Sequence, residues 1–178
     1  MFHLASTRFN NVTFAENMAY RQKVEVTVLY GPSIRIHQKY DIGTYMYVFE
    51  MNNEKNKIEG IGIIKNQVVY DKKYKIYSDS DYNRIIYRGN YWLSRDQLVE
   101  LDSELVDIFE KMLFKGKSHL KRQSGITVIT EKLTKNWDQD LDILKRRVKN
   151  MFISVFKKEV EDKEDKEDKE DKEDKIEA

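Results

Sequence analysis

Residues 114–127, FKGKSHLKRQSGIT, hold the densest set of chemically capable side chains in the chain. A Gly-Lys-Ser triplet, Gly116 to Ser118, ends the phosphate-binding pattern G-x-x-x-x-G-K-[ST]. Backbone amides cradle phosphate there when the loop follows a strand and opens a helix. Neither requirement is met: the position five before Gly116 is Lys111, and the stretch follows a helical pattern. What remains is a row of cations. On an extended chain, Lys115, Lys117, His119 and Lys121 fall on one side, with Arg122 beside them. Such a row can displace counterions from a phosphate backbone. The plainer reading is a solvated loop whose charges do nothing specific.

A second constellation is NRIIYRGNYW, where Arg84 and Arg88 stand among Tyr82, Tyr87, Tyr91 and Trp92. Aromatic rings can stack on bases while arginines hold phosphates; equally, Tyr and Trp are good strand residues that fill a core. Catalytic patterns are poor. His3, His37 and His119 lack metal-ligand spacing, Asp79 and Asp81 in SDSDYN suit a turn, and no nucleophile elbow or kinase signature occurs. The chain has no cysteine, which removes disulfides and thiolate sites and fits a reducing compartment. No catalytic residue, metal ligand or cofactor is therefore assigned. A phosphate-handling enzyme would need Lys117 and His119 to converge with a carboxylate such as Asp79.

Net charge hides a division. The formal charge is +1, but residues 161–178, EDKEDKEDKEDKEDKIEA, carry eleven acids and five lysines, a net of −6, which leaves +7 on the remainder. A basic body attracts polyanions, and the acidic tail could compete for the same surface. The five Glu-Asp-Lys triplets contain no apolar residue and are expected to be disordered or a frayed helix. One globular domain is expected over 1–160 and a low-complexity tail over 161–178. There is no run of 18 apolar residues and no signal-peptide pattern, so no membrane association is expected. Asn11-Val12-Thr13 is read as a chance sequon.

These residues must be positioned by elements that the pattern outlines. Ser94 and Gln97 form a capping box, with Leu93 and Leu98 as the hydrophobic staple. Leu98, Leu101, Leu105, Ile108 and Met112 recur at helical spacing and Gly116 is a stop. A last helix is expected from about Asn136, with the stripe Trp137, Leu141, Leu144, Val148, Met151, Val155. Its polar face carries Lys145, Arg146, Arg147 and Lys149, a solubilising surface. A shorter helix is expected to open at Thr13. Between them, KVEVTVLY, KYKIYS and NRIIYRGNYWL read as strands, and TYMYVFEM with KIEGIGIIKN as a hairpin. Gly60 and Gly62 share one strand face, which points to a bulge or a close approach. No strand–helix–strand alternation is evident.

The order GTYMYVFEMNNEKNKIEGIGIIKNQ then YKIYSDSDYNRIIYRGNYWLSRDQL resembles the PUA-like superfamily, in particular its EVE and ASCH-type branches. There an aromatic strand turns into an I-x-G-I-G strand, here Ile58 to Gly62, within a small barrel. The resemblance covers about residues 20–95 and implies binding of RNA or a modified base. The ASCH-type G-x-K-x-x-E-x-R signature is absent, so no pocket residue is carried over. LFKGKSHLKRQSGIT is also similar to segments of proteins from large DNA viruses, which implies the host cytoplasm or the virion as a location.

The expectation is thus an α+β domain, a small, mostly antiparallel β-barrel with flanking helices and a disordered charged tail. Its expected role is a non-catalytic nucleic-acid-binding module, RNA or a modified base ahead of duplex DNA, in the cytoplasm. Lys115, Lys117, His119, Lys121, Arg122, Arg84, Arg88 and Trp92 are the candidate contacts. The alternative is a viral structural or protein-interaction component, with the charged tail contacting protein partners.

Overall fold

The computed structural model describes residues 1–173, with side chains through Lys157. Its centre is an open five-stranded sheet in the order β6-β4-β3-β1-β7. β1 is Phe2–Phe9, β3 Tyr45–Asn52, β4 Lys57–Lys65, β6 Tyr91–Ser94 and β7 Thr127–Val128. β1 runs parallel to β3, and every other neighbouring pair is antiparallel. β2 (Val28–Tyr30) and β5 (Tyr87–Gly89) form a separate two-stranded ladder.

The expected barrel does not form, because β6 and β7 remain two separate edges. Two features of the chain explain this. Residues 2–9 form a strand that takes the free edge of β3, although Ala5-Ser6-Thr7 gives them little hydrophobic alternation. Helix α1, Asn11–Val24, then consumes the front of the expected KVEVTVLY strand and leaves only three residues for β2. A parallel pair needs a long crossover, and α1 lies in it: the chain does contain a strand–helix–strand passage. Asn10 caps α1, its Oδ1 accepting from the Thr13 amide at 2.8 Å while Thr13 Oγ1 accepts from the Asn10 amide at 3.0 Å. KYKIYS forms no strand.

The β3–β4 hairpin forms as expected, with a register shift between Glu50 and Met51. Glu50 faces Gly60 and Met51 faces Ile58, so Glu59 is the extra residue. The bulge lets Ile58 and Ile61, three apart, both enter one core. That core packs Leu4, Phe49, Met51 and Leu93 beneath helices α2 (Arg95–Phe114) and α4 (Leu141–Glu173). The opposite face, through Ala5, Met46, Val48 and Ile64, packs against β2, β5 and the segment carrying Tyr74, Ile76 and Tyr77.

Ser94 caps α2 with the full reciprocal box. Inside α2, Asp102 leaves helical geometry, and its Oδ1 accepts from the Leu105 amide at 3.0 Å, capping the second half afresh. Arg147 of α4 donates to both oxygens of Asp102, at 2.7 and 3.0 Å, and to Glu104. The sheet side of α4 crosses successive strands: Lys145 lies over Phe2, Phe152 meets Tyr47, and Phe156 meets Tyr91. A short helix α3 (Glu131–Lys135) precedes it, and Asp140 Oδ1 accepts from the amides of Asp142 and Ile143. The last helix therefore starts at Leu141 rather than at Asn136. The tail, expected to be disordered or a frayed helix, continues α4 as far as Glu173, because extending a packed helix avoids the cost of a new nucleus. Residues 174–178 lie outside the described residues.

Burial raises the Asp102 pKa, but the hydrogen bonds from Arg147 and Leu105 outweigh it and leave the value below the usual carboxylate range. Its stabilisation is complete above the ordinary carboxylate pKa and is lost as pH falls through the lowered one. Asp102→Ala should cost about 2 kcal/mol at neutral pH, the sum of a helix cap and a charged hydrogen bond. Urea unfolding at neutral and acid pH should show that difference shrinking in acid, whereas a constant difference would contradict the charge-based part.

Candidate functional site

Residues 115–122 form bends and turns, not an extended chain. Lys115 caps α2, and Gly116 reverses the chain at φ 75° beside Trp137. Leu120 is buried, and its amide donates to the Leu113 carbonyl at 2.9 Å. His119 Nδ1 accepts from the Lys121 amide at 3.2 Å, which gives that ring a role in shaping the turn. Lys121 is anchored at both ends. Its carbonyl accepts from Arg8 Nη1 at 2.8 Å and Asn53 Nδ2 at 2.9 Å, and its Nζ donates to Asn56 Oδ1 at 2.6 Å. Lys115, Lys117 and Arg122 are exposed, and among the described residues none of the loop's cations forms an ion pair with a carboxylate.

The other candidates lie elsewhere. Arg84 pairs with Asp81 at 3.3 Å on the surface. Arg88 pairs with Asp71 at 3.1 Å, in a groove lined also by Tyr45, Lys65, Tyr70 and Tyr91. That groove is at the Tyr45 end of β3 and the basic loop is at its Asn52 end, roughly 25 Å away at the usual rise per residue. Arg88 and the loop therefore do not share one surface.

Trp92 belongs to a buried network that sequence reasoning missed. Its indole Nε1 donates to Glu50 Oε2 at 3.0 Å, Tyr30 Oη donates to Glu50 Oε1 at 2.8 Å, and Arg21 Nη2 reaches the same oxygen at 2.7 Å. Arg21 is 4% exposed and Glu50 is fully buried. The guanidinium also lies 5.3 Å from the Tyr30 ring centre and 5.9 Å from that of Trp92. Gly60 and Gly62 make the network possible: a Cβ on Gly60 would lie 2.6 Å from the Trp92 Nε1, and one on Gly62 would lie 2.4 Å from the Tyr30 hydroxyl. Burial and the Glu50 carboxylate push the Tyr30 phenol up. Burial works against the Arg21 charge, yet Glu50 and the nearby phenols hold its pKa above the ordinary value. The indole N–H is thus committed to structure.

Next to the basic loop lies a cleft of about 400 Å³ at the carboxyl ends of β1 and β3. Arg8 and Asn53, which hold the Lys121 carbonyl, are two of its walls, and Gly125 is another. Tyr30 and Tyr77 line the interior, and Tyr77 Oη accepts from Asn17 Nδ2 at 2.8 Å. Burial raises the Tyr77 phenol, so it remains protonated. Among the described residues no group of three or more potential metal ligands stands together.

Glu50→Gln leaves a single acceptor oxygen, so either the Trp92 indole or the Tyr30 and Arg21 donors face the amide NH2, and it strands the Arg21 charge. It should cost about 3–5 kcal/mol in urea unfolding. Adding Arg21→Met should recover much of that loss, because no uncompensated charge then remains; an additive double variant would show that the pair is not coupled.

No family model, curated protein or solved structure matches the chain.

Proposed function

We propose that the protein is a non-catalytic binder of single-stranded nucleic acid, RNA ahead of duplex DNA, through loop 115–122. The observation that carries this reading is the contrast in pairing. Arg84, Arg88 and Arg147 are neutralised by carboxylates, whereas among the described residues Lys115, Lys117, Lys121 and Arg122 are not. Unpaired cations on an anchored turn can exchange solvent counterions for phosphates without first breaking an ion pair. The adjoining cleft favours a single strand, since a base can enter it only when unpaired.

A second reading, a protein-interaction component, is favoured by the distant groove, where Tyr45, Tyr70 and Tyr91 are 48%, 71% and 49% exposed. Tyrosine is enriched at protein interfaces. No helix among the described residues is long and apolar enough to cross a membrane.

Fluorescence anisotropy with labelled single- and double-stranded RNA and DNA across a salt series separates the two readings. Lys115→Ala, Lys117→Ala and Arg122→Ala together should weaken RNA binding. They should also reduce the slope of log affinity against log salt by about 2, at roughly 0.7 per phosphate contact on a single strand. Unchanged affinity, or retention that does not depend on salt, would overturn the nucleic-acid reading and favour the protein-interaction one.

A further inference from the structure

The cleft beside the basic loop has a chemistry unlike the loop itself. Its walls include two carboxylates, Glu16 of α1 and Asp79, on a body whose net charge is positive. Among the described residues neither forms an ion pair. Each is held by one oxygen only. Glu16 Oε1 accepts from the Ser78 amide at 3.1 Å and from the Ser78 hydroxyl, and Asp79 Oδ1 accepts from the Asp81 amide at 3.0 Å. Among the described residues their second oxygens have no hydrogen-bond partner. Asn53 supplies a third unused acceptor: its Nδ2 is spent on Lys121, while its Oδ1 is buried with no partner. Of the three acceptors only Asn53 Oδ1 is buried, where an acceptor is ordinarily satisfied; Glu16 is half-buried and Asp79 exposed, and together the three present acceptors to the cleft.

The remaining walls are aromatic. Phe9, Tyr30, Tyr77 and Tyr82 line the same space, with the Tyr77 and Tyr82 rings edge to face at 6.2 Å between centres. At about 400 Å³ the cleft lies within the range of roughly 300–1,000 Å³ usual for small-molecule sites. A ligand that answers both features is flat, apolar on its faces and rich in hydrogen-bond donors along one edge. Among the nucleobases this is guanine, whose N1–H and N2 amino group lie side by side and match a carboxylate. Adenine and cytosine place a ring acceptor next to their amino group, which a carboxylate repels, and the single uracil N–H stands between two carbonyls. Tethering one oxygen of Glu16 and of Asp79 orients the other before any ligand arrives, which lowers the ordering cost of recognition.

We infer that the cleft walled by Glu16, Asp79, Asn53 and the tyrosines binds one unstacked guanine, with its phosphate directed to the Arg8 and loop side. This rests on the nucleic-acid reading of the adjoining loop and adds base selectivity to it. The guanine could come from a strand or from a free guanosine nucleotide, and the test has an arm for each.

The experiment measures anisotropy of labelled heptauridine and of the same oligomer with one central G, A, C or inosine. Isothermal titration with guanosine monophosphate runs in parallel. A single G should tighten binding about tenfold over heptauridine. Inosine, which lacks the N2 amino group, should lose most of that gain, and A and C should show none. Glu16→Gln and Asp79→Asn should each abolish the preference for G, with an unchanged thermal unfolding midpoint showing that the variants are folded. Salt-dependent binding with no preference for G, or a preference that survives both variants, would overturn the base site and leave the loop reading standing. Guanosine monophosphate binding that Glu16→Gln removes, with no oligomer bound, would support the base site and overturn the strand reading. No binding in any arm would overturn both.

Discussion

The fold is organised around a buried ion pair, Arg21 with Glu50, closed by a phenol and an indole. An arginine taken out of water is costly, and the cost is offset only where a partner meets it with good geometry and hydrogen bonds satisfy the rest. Here Glu50 receives three donors from three elements, α1, β2 and β6. Each arrives because the sheet is bare at Gly60 and Gly62, so that Trp92 and Tyr30 can lie directly against β4. The bulge beside Glu50 belongs to the same solution, since it turns the alternation of the β3–β4 pair at the point where the charge must face α1. Among the described residues two Arg21 nitrogens, Nε and Nη1, have no hydrogen-bond partner, and the guanidinium instead lies over the rings of Tyr30 and Trp92.

The cleft follows from this arrangement. Tyr30 joins the two, lining the cleft while donating its hydroxyl to Glu50. Asn17, one turn before Arg21 on α1, holds the Leu29 carbonyl and the Tyr77 hydroxyl, which ties β2 and the segment carrying Tyr77 to the same helix. The mouth is set by β1 and β3 running in parallel, since their carboxyl ends bring Arg8 and Asn53 together under the Lys121 carbonyl. The position of the basic loop is therefore dictated by strand direction, through contacts more than sixty residues apart in sequence.

What could be read from sequence was local. The Ser94–Gln97 box, the stop at Gly116 and the hairpin about Asn52–Lys57 depend on residues within a few positions of one another, and they occur as read. Gly60 and Gly62 signalled a bulge or the approach of another backbone; the bulge lies beside Gly60, and the side chains of Trp92 and Tyr30 overlie the two glycines. The barrel was misjudged because β1 carries Ala5, Ser6 and Thr7, too small and polar to announce a strand that is buried on both faces. Likewise Lys23 and Val24 alternate with their neighbours as a strand would, yet belong to α1, whose Asn10 cap fixes its start. The carboxylates of the cleft were invisible for a different reason: Glu16 and Asp79 meet through tertiary packing, with nothing in their spacing to join them.

The path of α4 has a consequence for the molecule as a whole. It passes Phe2, Tyr47 and Tyr91 in turn and leaves beyond Phe156, near the Tyr45 end of the sheet, and its continuation from 161 to Glu173 carries nine acids and four lysines. The unpaired cations of loop 115–122 occupy the other end. The protein is thereby a long electric dipole, with its poles separated by more than a Debye length at physiological salt, about 8 Å. At that separation the charge of the extension is screened from the loop, so each pole meets the solvent on its own terms.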